Sequence, residues 1–449
     1  MKMNNHFLLN YLLKAKLLRK INCMKKYKTL DLPYGGKLYY VKNRLTKATM
    51  VKLQFLCGAR EDTIPGLAHF TEHMFFTGTK EKDKKQISKQ YFDFIDTNAF
   101  TNSREICFVG TIFTNEFSSY LDTVAEMITK TTFSQKNVDT EIPVVQQEIA
   151  KSKDKYNRLA GEFNSYNLLK DDVFKNRVLG NEKSVASIKS KDVKNYVKKF
   201  FVANNLIAYV SSPMCANKVK KLLSRFAQNI PHKAEFTQLP MVYVDLKDDG
   251  FFKIETHDIK KNYLFLNFAF NHNYLEIDYK TKCAVVQSMI NDFTDGIQKQ
   301  MRLEKGLVYG CGFSTEYYLT RAVSTLYTEC EKGNINEIIK TTADYLKDKL
   351  KEGFTQAELD KYKREWKYGE AVKEPRAARY MNNLFTLALY GKLRKKKYID
   401  KIIKNLSLDE CNAIFRDVFA SPRVSLTIYG DATTKDVMSK TEFKKLFKF

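Results

Sequence analysis

The chain has 449 residues, of which 44% are hydrophobic and 13% are aromatic. This length predicts two or three domains, and the composition suits buried cores and excludes a disordered chain. Lys and Arg number 76 against 51 Asp and Glu, which gives a net charge of +25. The basic residues are spread along the chain without a nucleic-acid-binding motif, so we interpret the charge as a solvated surface and predict no nucleic-acid partner.

The N-terminal segment is open to three interpretations. Residues 1–28 carry eight Lys or Arg and no acidic residue, with leucines interleaved. The segment can be an organelle transit peptide, or it can lie on a membrane surface. Alternatively, translation starts at Met24, and residues 1–23 are only a basic leader or an alternative start. We predict a cytoplasmic protein, or a mitochondrial or other organellar one if residues 1–28 are a transit peptide.

The cysteines and the hydropathy pattern agree with an intracellular protein. None of the eight cysteines forms a C-x-x-C pair, and several lie in apolar runs such as VKLQFLC and ICFVG. This pattern is typical of reduced, buried thiols. No run approaches the roughly 18 consecutive apolar residues of a membrane-spanning helix, so we predict no transmembrane segment.

Similar patterns in the two halves of the chain indicate a duplicated unit. The strand-like run ATMVKLQFLCGA near residue 50 corresponds to KNYLFLNFAFNH near residue 265. Each half then has a long helical pattern that begins at an N-cap residue, Ser134 or Thr355, and Glu358 completes a capping box with Thr355. Both halves end with a short helix, a turn and a β-rich strand.

The duplication predicts the fold class and the domain boundaries. Strands mixed with long helices in each half indicate an α+β protein of two homologous domains, each a mainly antiparallel sheet covered by helices. We place an N-terminal domain at residues 24–230 and a C-terminal domain of the same fold at residues 231–449. The join lies near residues 229–250, where NIPHKAEFTQLP supplies two prolines.

The strongest chemical signal is the segment PGLAHFTEHMFFTGT at residues 65–79. Pro65 is placed to start a helix and Gly78 to end it. His69 and His73 are four positions apart, so a helix presents both imidazoles on one face. Glu72 directly precedes His73, which gives the H-x-x-E-H pattern of the inverted zincins. Imidazole nitrogens suit zinc, and the adjacent carboxylate favours hydrolysis over metal storage.

A catalytic zinc needs a third protein ligand, and Glu148 in EIPVVQQEIAKSKD is the best candidate. Glu141 lies two helical turns earlier and faces the same direction, so we assign it a supporting role behind a ligand. One zinc ion per chain would lower the pKa of its bound water toward about 7, and Glu72 would take that proton. The sequence therefore predicts a zinc metalloendopeptidase that hydrolyses peptides or unfolded polypeptides.

The longer string GLAHFTEHMFFTGTK resembles the pitrilysin family of inverted-motif zinc peptidases, which includes insulin-degrading enzyme and mitochondrial processing peptidase. The positions that match the family's zinc helix are Gly66, His69, Glu72, His73, Met74, Phe76, Gly78 and Thr79. The resemblance covers nearly the whole chain from about residue 24 and implies a half-size, two-domain member. It also supports Glu148 as the third ligand and Glu141 as its partner carboxylate.

The block NAFTNSREICFVG resembles the family's substrate-binding edge strand. By this resemblance, Asn98 and Ala99 pair with the extended backbone of the substrate through strand addition. The sequence departs from the family pattern at two places in this block, and both affect the expected register of the strand and the expected cleavage preference. The family's Gly residues before Asn-Ala are replaced by IDT, and one extra residue lies between Thr101 and Glu105.

A third block, QMRLEKGLVYGCGFST, resembles a family segment in which an Arg and a Tyr reach the substrate at the zinc. Arg302 and Tyr309 match these two residues in identity and spacing. An Arg–Tyr pair can stabilise the oxyanion of the tetrahedral intermediate. The resemblance implies that this pair serves the zinc site of an opposite subunit, so we predict a homodimer or a heterodimer with a related subunit. The alternatives are a catalytically silent scaffold or partner subunit, and a nucleic-acid or membrane-surface binder.

Overall fold

The computed structural model describes residues 27–44, 46–153, 156–169, 177–236, 246–247, 251–272, 276–318, 320–372, 377–391, 396–420 and 423–449. The basic leader predicted at residues 1–23 lies outside this part of the chain. Much of the predicted join near residues 229–250 lies outside it as well. The chain divides into two compact units, each built around one sheet.

The strands of the described chain form a six-stranded sheet and a five-stranded sheet. Those of the first sheet are β1 (Tyr27–Asp31), β2 (Lys37–Lys42), β3 (Ala48–Phe55), β4 (Asp96–Thr101), β5 (Ile106–Phe113) and β6 (Leu206–Ser212). Those of the second sheet are β7 (Phe252–Thr256), β8 (Asn262–Asn271), β9 (Cys311–Tyr317), β10 (Arg321–Cys330) and β11 (Arg423–Gly430).

The helices of the described residues cover these sheets. In the first half of the chain they are α1 (Leu67–Met74), α2 (Lys84–Phe92), α3 (Phe117–Lys130), α4 (Gln135–Lys153), α5 (Tyr156–Leu168), α6 (Glu182–Ala186), α7 (Ser190–Phe200) and α8 (Ala216–Asn229). In the second half they are α9 (Ile277–Ile290), α10 (Ile335–Glu352), α11 (Gln356–Val372), α12 (Ala377–Tyr390), α13 (Lys396–Asn405), α14 (Leu408–Phe419) and α15 (Lys440–Leu446), and a π-helical turn spans Lys299–Glu304.

The two sheets have the same strand order. The first runs β1-β2-β6-β3-β5-β4 and the second runs β7-β11-β8-β10-β9. If β1 is left out, each half of the chain contributes five strands to its sheet. Numbered along the chain within each half, these strands lie in the spatial order first, fifth, second, fourth, third in both sheets. In each sheet the first strand pairs with the fifth in parallel, and every other pair is antiparallel. The predicted fold class, two mainly antiparallel sheets covered by helices, is therefore confirmed.

Two helices are capped at their N-termini by the side chains that the sequence indicated. The Ser134 hydroxyl accepts the backbone N–H of Asn137 at 3.2 Å, which caps α4. Thr355 and Glu358 form a capping box ahead of α11, since each side chain accepts the backbone N–H of the other residue. These bonds satisfy N–H groups that a helix start leaves without intrahelical partners.

Both faces of the first sheet are covered. All seven residues of β6 are buried, as expected of a strand that lies between two layers. One face packs against the main core, and the other packs against α12, whose Leu384 is fully buried with Val41, Ile207 and Tyr209. The Asn383 side chain also donates to the Tyr27 hydroxyl at 2.7 Å.

The two halves exchange one helix each. Helix α12 comes from the second half of the sequence but belongs to the first compact unit. Helix α5 comes from the first half and belongs to the second unit, where Leu159 and Ala160 pack against β8 and β11. There the Asn164 and Asn267 side-chain amides bond to each other at 2.8 and 3.3 Å, which pairs two buried polar groups.

No helix of the described residues is both long and apolar enough to cross a membrane. Seven cysteines lie in this part of the chain, and all are free thiols; Cys215 is exposed and the other six are buried.

Candidate metal centre

Helix α1 begins at Leu67, two residues after the predicted start at Pro65. Gly66 adopts a left-handed conformation with φ 92°, which interrupts helical geometry at that residue. The Asp62 carboxylate accepts the N–H groups of Gly66 at 2.9 Å and Ala68 at 2.8 Å. These bonds satisfy donors at the start of the helix and fix its direction.

The same helix ends at Met74, earlier than the predicted end at Gly78. The N–H groups of Phe75, Phe76 and Thr77 each bond to the carbonyl three residues earlier, at 3.0–3.2 Å. These hydrogen bonds are of the 3₁₀ type, so they tighten the last turn of the helix. They also satisfy carbonyl groups that have no hydrogen-bond partner at the end of an α-helix. Gly78 then takes φ 113°, so the chain turns away from the helix there.

The metal-ligand candidates converge at α1 and α4. One donor atom from each of His69, His73 and Glu148 lies within 4.8 Å of the other two. A Glu148 carboxylate oxygen is 3.6 Å from His69 Nε2 and 3.4 Å from His73 Nε2. Tetrahedral zinc with ligand bonds of about 2.0–2.2 Å separates its donors by about 3.4 Å, so the donor set fits this ion.

Glu141 contacts the opposite side of the His73 ring. Its Oε1 lies 3.0 Å from His73 Nδ1, while Nε2 faces Glu148. A carboxylate at Nδ1 favours a proton there and leaves Nε2 as the ligand atom. Glu141 and Glu148 are seven residues apart along α4, which is about 10.5 Å of helix. Their carboxylates therefore lie on opposite sides of the His73 imidazole.

Charges around His73 change the protonation of the site. Burial alone would lower the pKa of His73, but the hydrogen bonds that its ring donates to Glu141 and Glu148 outweigh this effect and raise the pKa to about 9. Burial would likewise raise the pKa of Glu141, yet His73 and Lys84 lower it, and Lys84 Nζ lies 2.6 Å from Glu141 Oε2. A metal ion that binds here therefore displaces a proton from His73.

Glu72 lies beside the ligands and is nearly buried. The residue is 9% exposed, and burial is the main cause that raises its pKa. The Thr101 hydroxyl, at the end of β4, donates to Glu72 Oε2 at 2.5 Å. A buried carboxylate with a raised pKa is suited to accept a proton and to release it again.

Asn98 and Ala99 lie on β4, the edge strand next to β5. The Asn98 side-chain oxygen accepts the N–H of Ala99 at 2.9 Å, so this N–H points toward the open edge. The Tyr91 hydroxyl donates to the Asn98 carbonyl at 2.9 Å and fixes the strand from its other side. Among the described strands, only β5 pairs with β4, and the opposite edge is open for another strand.

Arg302 and Tyr309 belong to the second unit and lie before β9. The Arg302 guanidinium lies over the Tyr309 ring at 4.6 Å and over the Phe293 ring at 5.2 Å. Tyr309 is 86% exposed, so its hydroxyl is accessible. The structure thus places the Arg302 and Tyr309 side chains in contact with each other.

The sequence did not single out two further contacts of the site. Lys84 was not considered, because a lysine in a Lys-rich stretch gives no signal of its partner. Thr101 was noted only for its spacing from Glu105. Strand alternation offered a usable signal, because Thr101 is two residues from Ala99 and both side chains point to the same face.

Two family models cover most of the chain. The model described as insulinase, peptidase family M16, matches residues 38–182, and the model described as the peptidase M16 inactive domain matches residues 187–365. The chain belongs to peptidase family M16. The resemblance seen in the sequence is therefore confirmed, and the cluster of candidate metal ligands lies in the half that matches the first model.

Bacterial relatives of this M16 chain are named zinc proteases. An uncharacterized zinc protease of Rickettsia felis is 23% identical over 368 residues, which span 81% of this chain and 87% of the relative. The uncharacterized zinc protease YmxG of Bacillus subtilis is 22% identical over 398 residues, which span 86% of this chain and 94% of the relative.

Solved structures share the M16 fold. A peptidase M16 inactive domain from Pseudomonas fluorescens superposes with a TM-score of 0.76 at 17% identity, covering 91% of this chain and 98% of its own. A protease from Helicobacter pylori has the same TM-score at 15% identity, covering 91% of this chain and all of its own. At this identity the likeness establishes the fold alone.

Proposed function

We propose that this M16 chain is a zinc metalloendopeptidase that hydrolyses peptides or unfolded polypeptides. The observation that carries the proposal is the convergence of donor atoms from His69, His73 and Glu148 beside the buried carboxylate of Glu72. A site for metal storage has no need of a base at that position, whereas hydrolysis requires one. The names of the bacterial relatives support the same activity.

The three ligands would hold one zinc ion per chain. Bound zinc supplies a Lewis acid that polarises the scissile carbonyl and makes water more acidic. Glu141 holds His73 in the tautomer that exposes Nε2, and Lys84 binds the other oxygen of Glu141. These contacts set the orientation of the ring before any metal binds.

Glu72 is the proposed general base. It takes a proton from the attacking water as the water oxygen bonds to the scissile carbonyl carbon. The same proton then passes to the amine nitrogen as the C–N bond breaks, which restores the carboxylate. Burial raises the pKa of Glu72, and a higher pKa brings the carboxylate closer to the working pH of such a base.

The open edge of β4 is the proposed binding site for the substrate backbone. An extended peptide can add to this edge as another strand, with bonds to backbone groups of Ala99. The Ala99 N–H is bonded to the Asn98 side chain, so the substrate carbonyl would take the place of that amide oxygen. Recognition through the backbone suits unfolded polypeptides of many sequences.

Arg302 and Tyr309 are the proposed stabilisers of the oxyanion. Their contact keeps the guanidinium and the phenol side by side, and the exposed phenol can reach a bound peptide. We propose that the pair acts on the zinc site of an opposite subunit in a homodimer, or in a heterodimer with a related chain. Light scattering of the purified protein tests this, and a fully active monomer would contradict it.

Zinc content and peptide cleavage of the wild type and Glu72→Gln test the proposed activity. A library of quenched fluorogenic peptides reports cleavage whatever the preferred substrate sequence is. We expect bound zinc in both proteins and a loss of about 100-fold or more in kcat for the variant. Glu81→Gln is a matched control, because Glu81 follows the same motif but is exposed on the surface.

The other outcomes have distinct meanings. Bound zinc without cleavage by the wild type would identify a silent scaffold or a chain that needs a partner subunit. A wild type that binds no zinc would refute the metal assignment and the activity built on it.

A further inference from the structure

We infer that Thr101 is a positioning residue for the proposed base. Its hydroxyl holds Oε2 of Glu72 and leaves Oε1 as the atom that receives the proton. The inference rests on the proposed peptidase function, and it adds a residue whose contact is with the base and not with the metal ligands.

The contact is short and largely shielded from water. Thr101 Oγ1 lies 2.5 Å from Glu72 Oε2, and Glu72 is only 9% exposed. An ionised carboxylate can only accept, so the single hydroxyl proton of Thr101 points at Oε2. A hydrogen bond to one oxygen stabilises negative charge there, so the other oxygen is the more basic of the two.

The backbone that carries Thr101 is fixed by the following turn. The Asn102 side-chain oxygen accepts the N–H groups of Arg104 at 2.8 Å and Glu105 at 3.0 Å. The Asn102 carbonyl accepts the N–H of Ala59 at 3.1 Å, which ties the turn to the segment before α1. Glu105 is in turn held by Lys52, with both oxygens 3.0 Å from Nζ.

Gly58 shows how closely this turn is packed. A Cβ atom at Gly58 would lie 2.3 Å from the Asn102 carbonyl oxygen and 2.7 Å from the Arg104 nitrogen. Only glycine permits this approach of two backbones. Thr101 therefore sits on a strand end with little freedom to shift, and its β-branched side chain has few χ1 rotamers.

The placement also connects the base with the proposed substrate strand. Ala99 and Thr101 are two residues apart on β4, so their side chains point to the same face of the sheet. A peptide that adds to the edge at Ala99 would therefore be aligned with Thr101, the residue that binds Glu72. The structure assigns Thr101 to the alignment of base and substrate.

Steady-state kinetics of Thr101→Val and Thr101→Ser test the inference, together with zinc titration of the metal-free proteins. Valine keeps the shape of threonine and removes the hydroxyl, whereas serine keeps the hydroxyl. Thr97→Val is the matched control, because Thr97 lies on the same strand and donates its hydroxyl to the Tyr91 carbonyl at 2.7 Å.

We expect Thr101→Val to lower kcat by about 10-fold to 100-fold, because an unheld base spends less time in the productive orientation. KM and zinc affinity should stay within about twofold of the wild type, since the backbone of Ala99 and the candidate ligands keep their contacts. Thr101→Ser should keep most of the activity, and Thr97→Val should keep kcat.

Three results would overturn the inference. An unchanged kcat in Thr101→Val, measured beside an active wild type, would remove the role of Thr101 and leave the proposed function intact. A parallel loss of zinc affinity, or an equal loss of kcat in Thr97→Val, would show a general structural role. A wild type that binds zinc but cleaves nothing would overturn the proposed function, and this inference with it.

Discussion

His73 Nδ1 lies 3.0 Å from Glu141 Oε1, so the ring is bonded to a carboxylate on the side opposite Nε2, the atom that faces Glu148. The second oxygen of Glu141 accepts from Lys84 at 2.6 Å. Glu141 is only 3% exposed, and these two partners balance its buried charge. Lys84, Glu141 and His73 therefore form a chain of contacts that fixes the orientation of the His73 ring, a candidate zinc ligand.

The first prediction concerns Glu141→Gln. We expect zinc affinity to fall by about 10-fold to 100-fold, because a neutral amide holds the His73 tautomer less firmly and leaves Lys84 without its anion. Competition with a zinc-binding dye measures the dissociation constant. Asp139→Asn is the control, because Asp139 lies on the same helix but bonds to Gln135 on the surface. Equal affinities in all three proteins would contradict this role of Glu141.

The second prediction concerns removal of the metal. Zinc at about 100 times its dissociation constant should stabilise the first unit by about 2.7 kcal/mol, because the ion binds only when α1 and α4 are folded together. Calorimetry with and without a chelator should show one transition that moves and one that does not. In His69→Ala the chelator should have no effect, and a shift that persists there would place the ion elsewhere.

The third prediction concerns Tyr309→Phe. If Tyr309 is the oxyanion donor that we propose, its loss should lower kcat by about 100-fold while zinc binding stays unchanged. The melting temperature should not change, since the Tyr309 side chain is 86% exposed. Tyr368→Phe is the control, because Tyr368 is another tyrosine of the second unit and is 68% exposed. Full activity in Tyr309→Phe would remove this residue from the site.

The fourth prediction concerns pH and the loop that begins at Asp292. Burial would raise the pKa of Asp292, but bonds from Lys361 and Thr294 outweigh it and lower the pKa from 3.8 to about 2. Since the folded-state pKa is depressed, the carboxylate stabilises the fold above about pH 4, and this contribution is lost as the pH falls through about 2.

Asp292→Asn should therefore lower the melting temperature of the second unit by about 2–4 °C at pH 7, with the difference from the wild type shrinking below pH 4. Circular dichroism melts between pH 7 and pH 2.5 measure this. Asp360→Asn is the control, since Asp360 is exposed and pairs with Gln356 on the same helix. A difference that is constant over this range would contradict the charge-based explanation.

Local spacing predicted which side chains of the candidate site share a helix face. Two histidines four residues apart share a helix face, and two carboxylates seven residues apart share another, whatever the rest of the fold does. The structure brings one donor atom each of His69, His73 and Glu148 within 4.8 Å of one another. This periodicity does not determine that the two helices meet. The strand order of the two sheets likewise agrees with the duplication inferred from matched segments.

What the sequence did not reveal depends on contacts between distant segments. The start of α1 is set by the left-handed backbone of Gly66 and by Asp62, and the preceding proline alone suggested an earlier start. Leu384 packs against Ile207, and no local pattern indicates which sheet an amphipathic helix will cover. The bond from Thr101 to Glu72 depends in the same way on how a strand end meets a helix.

The exchange of α5 and α12 also determines when each unit can finish folding. During synthesis the first sheet is complete once β6 has emerged, yet one of its faces stays bare until residues 377–390 follow. A fragment that ends between the two halves would keep the candidate metal ligands but leave this apolar face exposed to water, which favours aggregation. The unit that carries the candidate metal site therefore cannot be completed until most of the chain has been made, although its candidate ligands all lie within the first 150 residues.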